Sequence, residues 1–192
     1  MSEILLAGYY GFNNLGDEAI LEMFLKMLEK KTDKSNIKIL TADPNKTKKN
    51  VGVDGINRYS FLKVNKAIFE SKVVIVGGGS LLQDITSKRS IYYYLYIIFA
   101  AKLLNKKIAL LSQGIGPING KVNSFFTSKI LNKVDYISVR DSNSIDELKK
   151  IGVKRDDIVY AADPVIDYKM NIKKTKSDKV NIGFSLRSWN ST

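Results

Sequence analysis

The sequence contains no cysteine and no histidine, and each absence excludes a class of chemistry. Without cysteine there is no disulfide, no thiolate nucleophile and no zinc–thiolate site. Without histidine the chain lacks the commonest general base near neutral pH and the commonest metal ligand. Acid–base catalysis by these 192 residues would depend on Asp, Glu, Lys or Tyr, and we expect neither a metal nor a cofactor.

Long hydrophobic runs are also absent. The longest, at residues 91–104, is too short to span a bilayer and contains Lys102. It is interpreted as a buried helix or, since basic residues flank it, as a helix that docks on a membrane surface or a partner domain. We see no signal peptide before the first strand, and the cysteine-free, lysine-rich composition predicts a cytoplasmic protein.

Acidic residues are outnumbered, since 19 Asp and Glu oppose 31 Lys and Arg and leave a net charge of +12. This charge favours anionic partners such as nucleic acid, phosphorylated metabolites or an anionic membrane. Lysine spread along the whole chain is also typical of a sequence that uses it as the default surface residue. Because no nucleic-acid-binding module is recognisable, we expect no nucleic-acid partner.

Apolar runs alternate with helical patterns along the chain. Strands are predicted at residues 4–7, 37–41, 73–76, 108–112, 136–139, 158–161 and 180–186. Helices are predicted at residues 17–31, 61–69, 90–105, 122–132 and 144–150. The alternation predicts an α/β fold with a mostly parallel, doubly wound sheet that helices cover on both faces.

The end of the chain predicts a division into domains. Residues 1–168 form a first domain, residues 169–179 a lysine-rich linker, and residues 180–192 the first strand of a second domain. A strand that leaves into a loop normally leads to a helix, and none follows here, so the rest of that second domain is expected to be missing. The alternative is that the strand pairs back onto the first sheet as its last strand.

The first strand leads into AGYYGFNNLGDEAI at residues 7–20, where a helix begins. Gly11 permits close approach of the backbone, and Asn13 and Asn14 add polar groups. Asp17 falls in the first helical turn, where the helix dipole stabilises a carboxylate and lowers its pKa; capping is the structural alternative. Ligands bind at this edge of a parallel sheet, so the loop is a candidate site.

Two further loops are rich in glycine. GGGS, with Gly78, Gly79 and Ser80, follows a strand and is a candidate anion cradle of backbone N–H groups at a helix start. It matches neither common nucleotide-binding signature, and a tight turn is the alternative. SQGIGP, with Gln113 and Gly114, predicts either a rigid turn or a binding loop.

Arg140 emerges at the end of another predicted strand. A guanidinium there can hold a carboxylate or phosphate through two parallel hydrogen bonds. The alternative is a structural ion pair, for which Asp141 is the predicted partner. Ser144 and Glu147 have the spacing of a helix capping box.

In combination, these segments resemble the polysaccharide pyruvyl transferase family, in the branch that modifies bacterial cell-wall polymers. The matching segments are GYYGFNNLGDEAIL at 8–21, VGGGSLLQD at 76–84, SQGIGP at 112–117, SVRDSNS at 138–144, ADP at 162–164 and IGFSLRSW at 182–189. The resemblance implies two Rossmann-like domains arranged as in type B glycosyltransferases. This chain would supply the first domain and the first strand of the second.

The resemblance also implies a reaction. A pyruvyl group passes from phosphoenolpyruvate to an N-acetylmannosamine unit on a lipid-diphosphate-linked wall precursor, and a cyclic ketal forms. Asp17 is the expected base and Arg140 the expected anion ligand. Since the family supplies a histidine and further arginines from its second domain, the chain alone is expected to be inactive.

The remaining expectations concern substrate contacts, location and alternatives. Substrate-binding residues are expected to be Gly11, Asn13, Asn14, Gly78, Gly79, Ser80, Gln113, Gly114 and, more weakly, Arg187. The apolar helix near residues 92–104 is expected to touch the inner face of the cytoplasmic membrane.

Two alternative functions are a nucleotide-sugar-dependent glycosyltransferase of the same architecture, which phosphoenolpyruvate binding would exclude, and a non-catalytic domain that binds an acidic polymer.

Overall fold

The computed structural model of the protein describes residues 3–85, 90–169 and 182–184, and seven parallel strands within them form one sheet. Strands β1 to β7 are Ile4–Ala7, Ile37–Thr41, Asp54–Asn57, Val73–Gly77, Lys107–Gln113, Tyr136–Val139 and Val159–Tyr160. Helices α1 to α6 are Leu15–Leu28, Pro44–Val51, Phe61–Glu70, Ser90–Leu103, Lys121–Leu131 and Ser142–Lys150. The predicted doubly wound, parallel α/β fold is therefore confirmed.

The strand order is β3-β2-β1-β4-β5-β6-β7, so the direction of winding reverses between β1 and β4. These two strands pair directly, with Ile4 opposite Val73 and Ala7 opposite Val76. In sheets of this kind, ligands bind outside the carboxyl ends of the strands at the point of reversal. The loops after β1 and β4 both lie at that point.

Side chains of the strands alternate between two hydrophobic cores. Leu5 and Ala7 of β1 pack in the larger core, which includes residues from α3, α4, α5 and α6. Leu6 faces the opposite side and packs with Leu21 and Leu25 of α1. Because both faces are covered, the strands are apolar on both sides. Polar side chains that could contact a ligand therefore lie mainly in the loops at the strand ends.

Two elements, α2 and β3, are not predicted by the sequence analysis. Helix α2 is mostly polar and buries only Thr47, and the edge strand β3 buries none of its residues fully. Hydrophobic periodicity therefore gives no signal for either element. Capping residues do indicate α2, since Asp43 caps its start, Pro44 lies in its first turn and Gly52 ends it with a φ of +72°.

Several predictions fall outside the described residues. The linker at residues 169–179 and the strand at residues 180–186 lie largely outside them, and Arg187 lies wholly outside them. The division into domains therefore stays a prediction. Within the described ranges, none of the helices has the length and apolar character needed to cross a membrane.

Candidate functional site

The carboxyl ends of the central strands bring several predicted residues together. Asp17 lies in the first turn of α1, and the Cβ position of Gly79, in the loop after β4, is 2.9 Å from the Asp17 Oδ1 atom. The Cβ position of Gly114, after β5, is 2.6 Å from Ser80 Oγ and 3.1 Å from Arg140 Nη2. Loops that are distant in sequence thus form one cluster at the point where the winding reverses.

The loop between β1 and α1 positions Asp17. The Asn14 side chain caps α1, accepting hydrogen bonds from Gly16 N (3.0 Å) and Asp17 N (3.4 Å). Gly11 has a φ of +80° and donates its N–H to Glu18 Oε1 at 2.8 Å. Asn13 is exposed, and its Oδ1 accepts a hydrogen bond from the Lys46 ammonium. These contacts shape the loop and hold the first turn of α1 at the site.

Burial controls the protonation of Asp17. The pKa of Asp17 is raised from 3.8 to about 6, chiefly because the half-buried carboxyl loses hydration; the Glu18 carboxylate also raises the pKa, the Arg140 guanidinium opposes the rise and Asp163 adds to it. The prediction that the helix N-terminus lowers this pKa is therefore wrong, since loss of hydration outweighs the dipole. A carboxyl with a pKa near 6 is mostly ionised at neutral pH and is still basic enough to accept a proton.

The glycines after β4 allow close packing of α1 and an unusual backbone path. Gly78 and Gly79 have φ values of +70° and +69°, and a Cβ at Gly78 would lie 2.2 Å from Ile20 Cγ2. Ser80 does not begin a helix as predicted, because α4 begins at Ser90. Among the described residues, the N–H groups of Gly79 and Ser80 have no hydrogen-bond partner, so an anion could bind them.

The loop after β5 donates hydrogen bonds to the turn at residues 78–80, which we call the glycine turn. Gln113 is fully buried, and its Nε2 donates to Val76 O and Gly78 O, both at 3.2 Å. Gly114 N donates to Gly79 O at 2.9 Å. Gln113 is thus buried below the carboxyl edge of the sheet, where its hydrogen bonds join the ends of β4 and β5. Gly114 lies at the carboxyl edge itself, against Ser80 and Arg140.

Arg140 connects three loops. Its Nη1 forms an ion pair with Asp163 Oδ2 at 2.6 Å, and its Nη2 donates to Ser80 Oγ at 3.1 Å. A guanidinium has five N–H donors, so these two contacts leave three for a ligand. Its partner is Asp163, not the predicted Asp141, which instead caps α6 by accepting a hydrogen bond from Ser144 N at 2.7 Å.

The predicted capping box is also wrong. Ser144 lies inside α6, not at its cap, and the Glu147 carboxylate accepts a hydrogen bond from Ile118 N at 2.8 Å. The α6 side chains therefore fasten the loop after β5.

Asp163 is the site residue that sequence reasoning missed. It follows β7, pairs with Arg140, and accepts a hydrogen bond from Val165 N at 3.1 Å to cap a short 3₁₀ helix, Pro164–Asp167. The tripeptide ADP at residues 162–164 was the signal, since an acid directly after a strand reaches the same edge as the other loops. Sequence alone does not indicate which arginine it would meet.

Replacing Gly114 by alanine is expected to disturb the cluster without unfolding the chain. The new methyl group would lie too close to Ser80 Oγ and would press on Arg140. We expect inorganic phosphate to bind about tenfold more weakly, as one charge-assisted hydrogen bond is lost. Isothermal titration calorimetry measures the affinity.

Gly52→Ala is the matched control. Gly52 has a φ of +72° and open space around its Cβ position, so alanine there costs about 1 kcal/mol of stability and leaves the cluster intact. Equal phosphate affinity in wild type and Gly114→Ala would contradict the proposed anion cradle.

Within residues 3–85, 90–169 and 182–184, no three acidic side chains are grouped so that they could hold an ion. The cluster instead combines a poised carboxyl, a guanidinium and free backbone N–H groups, which suit proton transfer and anion binding.

The chain matches a known protein family. A family model described as polysaccharide pyruvyl transferase matches residues 14–189. That range includes Asp17, Ser80, Arg140 and Asp163 and covers most of the chain. A search of curated proteins gives no significant match.

Proposed function

The chain belongs to the polysaccharide pyruvyl transferase family, and on that basis we propose that it takes part in transferring a pyruvyl group from phosphoenolpyruvate. The proposed acceptor is an N-acetylmannosamine unit of a lipid-diphosphate-linked cell-wall polymer precursor. The product is a cyclic ketal that spans two sugar hydroxyls. Because phosphoenolpyruvate is made inside the cell, we place the reaction in the cytoplasm, at the inner face of the membrane.

One observation carries this proposal. Asp17, with its pKa raised to about 6, lies against Gly79 of the loop that carries the unpaired Gly79 and Ser80 N–H groups, and the charge of Arg140, which contacts Ser80 of the same loop, acts on it. Pyruvyl transfer needs a proton acceptor close to a site for a carboxylate and a phosphate. The cluster supplies both within one loop arrangement, which favours this chemistry over simple binding of a neutral sugar.

The chemistry assigns a role to each group. A sugar hydroxyl attacks C2 of the enolpyruvyl group while Asp17 accepts its proton. The methylene carbon gains a proton and becomes a methyl group. The second hydroxyl then replaces the phosphate at C2 and closes the ketal, and its proton leaves with the departing phosphate. Arg140, assisted by the Gly79 and Ser80 N–H groups, binds the anionic donor and stabilises the charge on the departing phosphate.

The proton donor for the methylene carbon is proposed to come from a second domain. The chain has no histidine, and Asp17 is assigned to the opposite task. We therefore propose that residues 1–168 form the acceptor-activating, anion-binding half of the enzyme. This half alone is expected to bind donor without turning it over.

The experiment is a pyruvyl-transfer assay with phosphoenolpyruvate and an N-acetylmannosaminyl diphosphate-lipid mimic. Phosphate release and the mass of the product are measured for the 192-residue chain and for the longest product of its reading frame. Transfer by the longer product alone supports both the reaction and the need for a second domain.

Two other outcomes of this assay would change the proposal. Transfer by the 192-residue chain would keep the reaction and overturn the claim that the proton donor lies elsewhere. No transfer by either protein, together with tight binding of a nucleotide diphosphate sugar, would overturn the proposal in favour of a glycosyltransferase.

A further inference from the structure

An exposed apolar surface lies on the outer side of α4 and α5, away from the sheet. Its most prominent side chains are Phe99, Leu103 and Phe125, which are 55, 73 and 56% exposed. Phe126 packs edge to face with Phe125 at 5.6 Å between ring centroids. We call this surface, with the shallow groove between the two helices, the α4–α5 face.

The composition of α4 explains why this surface exists. Its inner side buries Ile91, Ile97 and Ala101 completely against the sheet. The outer side is nearly as apolar, so the helix lacks the polar face that a surface helix normally turns to water. Among the described residues, the neighbours of Phe99 and Leu103 leave both side chains more than half exposed. A contiguous apolar patch of this kind marks an interaction site.

The charged side chains that line the groove of the α4–α5 face are lysines. Lys102, Lys129 and Lys133 line the groove, and none of the described carboxylates does. The Lys129 ammonium lies 5.7 Å from the centre of the Phe125 ring. Lys102 Nζ lies 3.4 Å from Oδ2 of Asp135, a residue that does not line the groove. A groove lined by aromatic and aliphatic side chains together with lysines complements a surface that is apolar inside and anionic outside.

We propose that the α4–α5 face docks on an anionic lipid bilayer. Phenylalanine, tyrosine and leucine side chains enter the boundary between headgroups and acyl chains, while lysines contact anionic headgroups. The occupant is a bilayer and not an acidic protein because aromatic and aliphatic side chains make up most of the groove lining, and its charged side chains are lysines.

The position of the face relative to the candidate site supports the same conclusion. Tyr92, at the start of α4, donates to Asn123 Oδ1 at 2.6 Å. Asn123 Nδ2 in turn donates to Asp84 Oδ2 at 2.9 Å, and Asp84 lies on the segment that follows the glycine turn. The face therefore begins at the edge of the sheet that holds the site. This step rests on the proposed function, since docking there would hold the site near a lipid-linked acceptor.

Vesicle flotation tests the proposal with the 192-residue chain. Vesicles contain phosphatidylcholine alone or with about 30 mol % phosphatidylglycerol. We expect the chain to float with the anionic vesicles, to bind neutral ones weakly, and to be released partly by salt. Lys129→Glu with Lys133→Glu should lower partitioning by about 25-fold or more, at about fivefold for each lysine lost.

Matched variants distinguish binding through the α4–α5 face from binding that depends only on net charge. Lys49→Glu with Lys149→Glu makes the same charge change on α2 and α6, outside the face, and should bind nearly as wild type does. Phe99→Ser with Phe125→Ser removes exposed rings and should lower partitioning about tenfold or more. Because these side chains are exposed, circular dichroism should show an unchanged fold.

Three results would overturn the proposal. The first is unchanged flotation of both face variants, and the second is equal loss in the face and control lysine variants, which would indicate delocalised charge. The third is self-association without vesicles, measured by light scattering and abolished by the phenylalanine variants, which would assign the face to a second copy of the chain. Flotation needs no turnover, so transfer to a water-soluble acceptor tests the proposed function separately.

Discussion

Asparagine in place of Asp17 is expected to slow pyruvyl transfer by about 10²- to 10⁴-fold, the usual contribution of a positioned general base. Asparagine keeps the size and polarity of the side chain and removes its ability to accept a proton. The measurement is phosphate release at saturating donor and acceptor, in whichever form of the protein transfers pyruvate. Asp146→Asn, at an exposed carboxylate on α6, is the control and should leave the rate unchanged.

The pH profile tests the same assignment. A base is active when deprotonated, so kcat/KM should rise with pH to a midpoint near the Asp17 pKa of about 6 and level off above it. The Asp17→Asn variant should lose this rising limb and keep only a low rate. A variant that retains normal turnover, or the same midpoint, would show that another group is the base.

Stability should change in the opposite direction to activity. The folded chain holds the Asp17 proton more tightly than the unfolded chain, because the pKa rises from 3.8 to about 6 on folding. Between those values the folded state binds more protons, so stability falls as pH rises through this window. Above pH 6 the ionised, half-buried carboxylate is a cost that asparagine removes.

Asp17→Asn is therefore expected to raise the free energy of unfolding by about 1–2 kcal/mol above pH 6, discounted for partial exposure, and to have little effect below pH 4. Urea unfolding of both proteins at pH 4 and pH 7.5 measures the difference. An equal loss of stability at both pH values would mean that the side chain is mainly structural.

Lysine in place of Arg140 is expected to weaken phosphoenolpyruvate binding by about 10- to 100-fold. Arg140 contacts Asp163 and Ser80 through different nitrogens and has further N–H donors for a ligand. Lysine keeps the charge but is a single point donor, which cannot hold Asp163 and a two-point anion together. Isothermal titration calorimetry with the 192-residue chain gives the affinity without requiring turnover.

Arg155→Lys is the matched control for this variant. Arg155 also pairs with an aspartate, Asp157, at 2.6 Å, but Asp157 lies before β7 and not at the carboxyl edge. Both replacements should lower stability by about 1 kcal/mol, and only Arg140→Lys should affect the donor. Equal donor affinity in wild type and Arg140→Lys would leave Arg140 with a structural ion pair alone.

Much of the fold follows from local pattern. Continuous apolar strands such as Val73–Gly77 and long helices such as Ser90–Leu103 were predicted within a few residues. Elements without a hydrophobic pattern, α2 and β3, are not predicted from the sequence, because tertiary contacts and caps stabilise them at the sheet edge. The signal for α2 lay in Asp43, Pro44 and Gly52 and not in periodicity.

The candidate site was predicted in its parts but not in its connections. Glycine-rich segments after strands indicate the carboxyl edge of the sheet, and a family resemblance adds the expected chemistry. Which side chains meet there depends on contacts across long sequence separations. Asp163 pairs with Arg140, and Asp141, its sequence neighbour, caps a helix instead.

The sequence by itself determined the parallel α/β class, the absence of thiol and imidazole chemistry, and the loops that could hold a site, since composition and periodicity are local properties. Only the tertiary structure decided the pKa of Asp17, the partner of Arg140 and the buried place of Gln113. Hydration and ion pairing depend on what surrounds a side chain in space. The helix dipole at Asp17 is visible in sequence, but the burial that outweighs it comes from loops brought together by the fold.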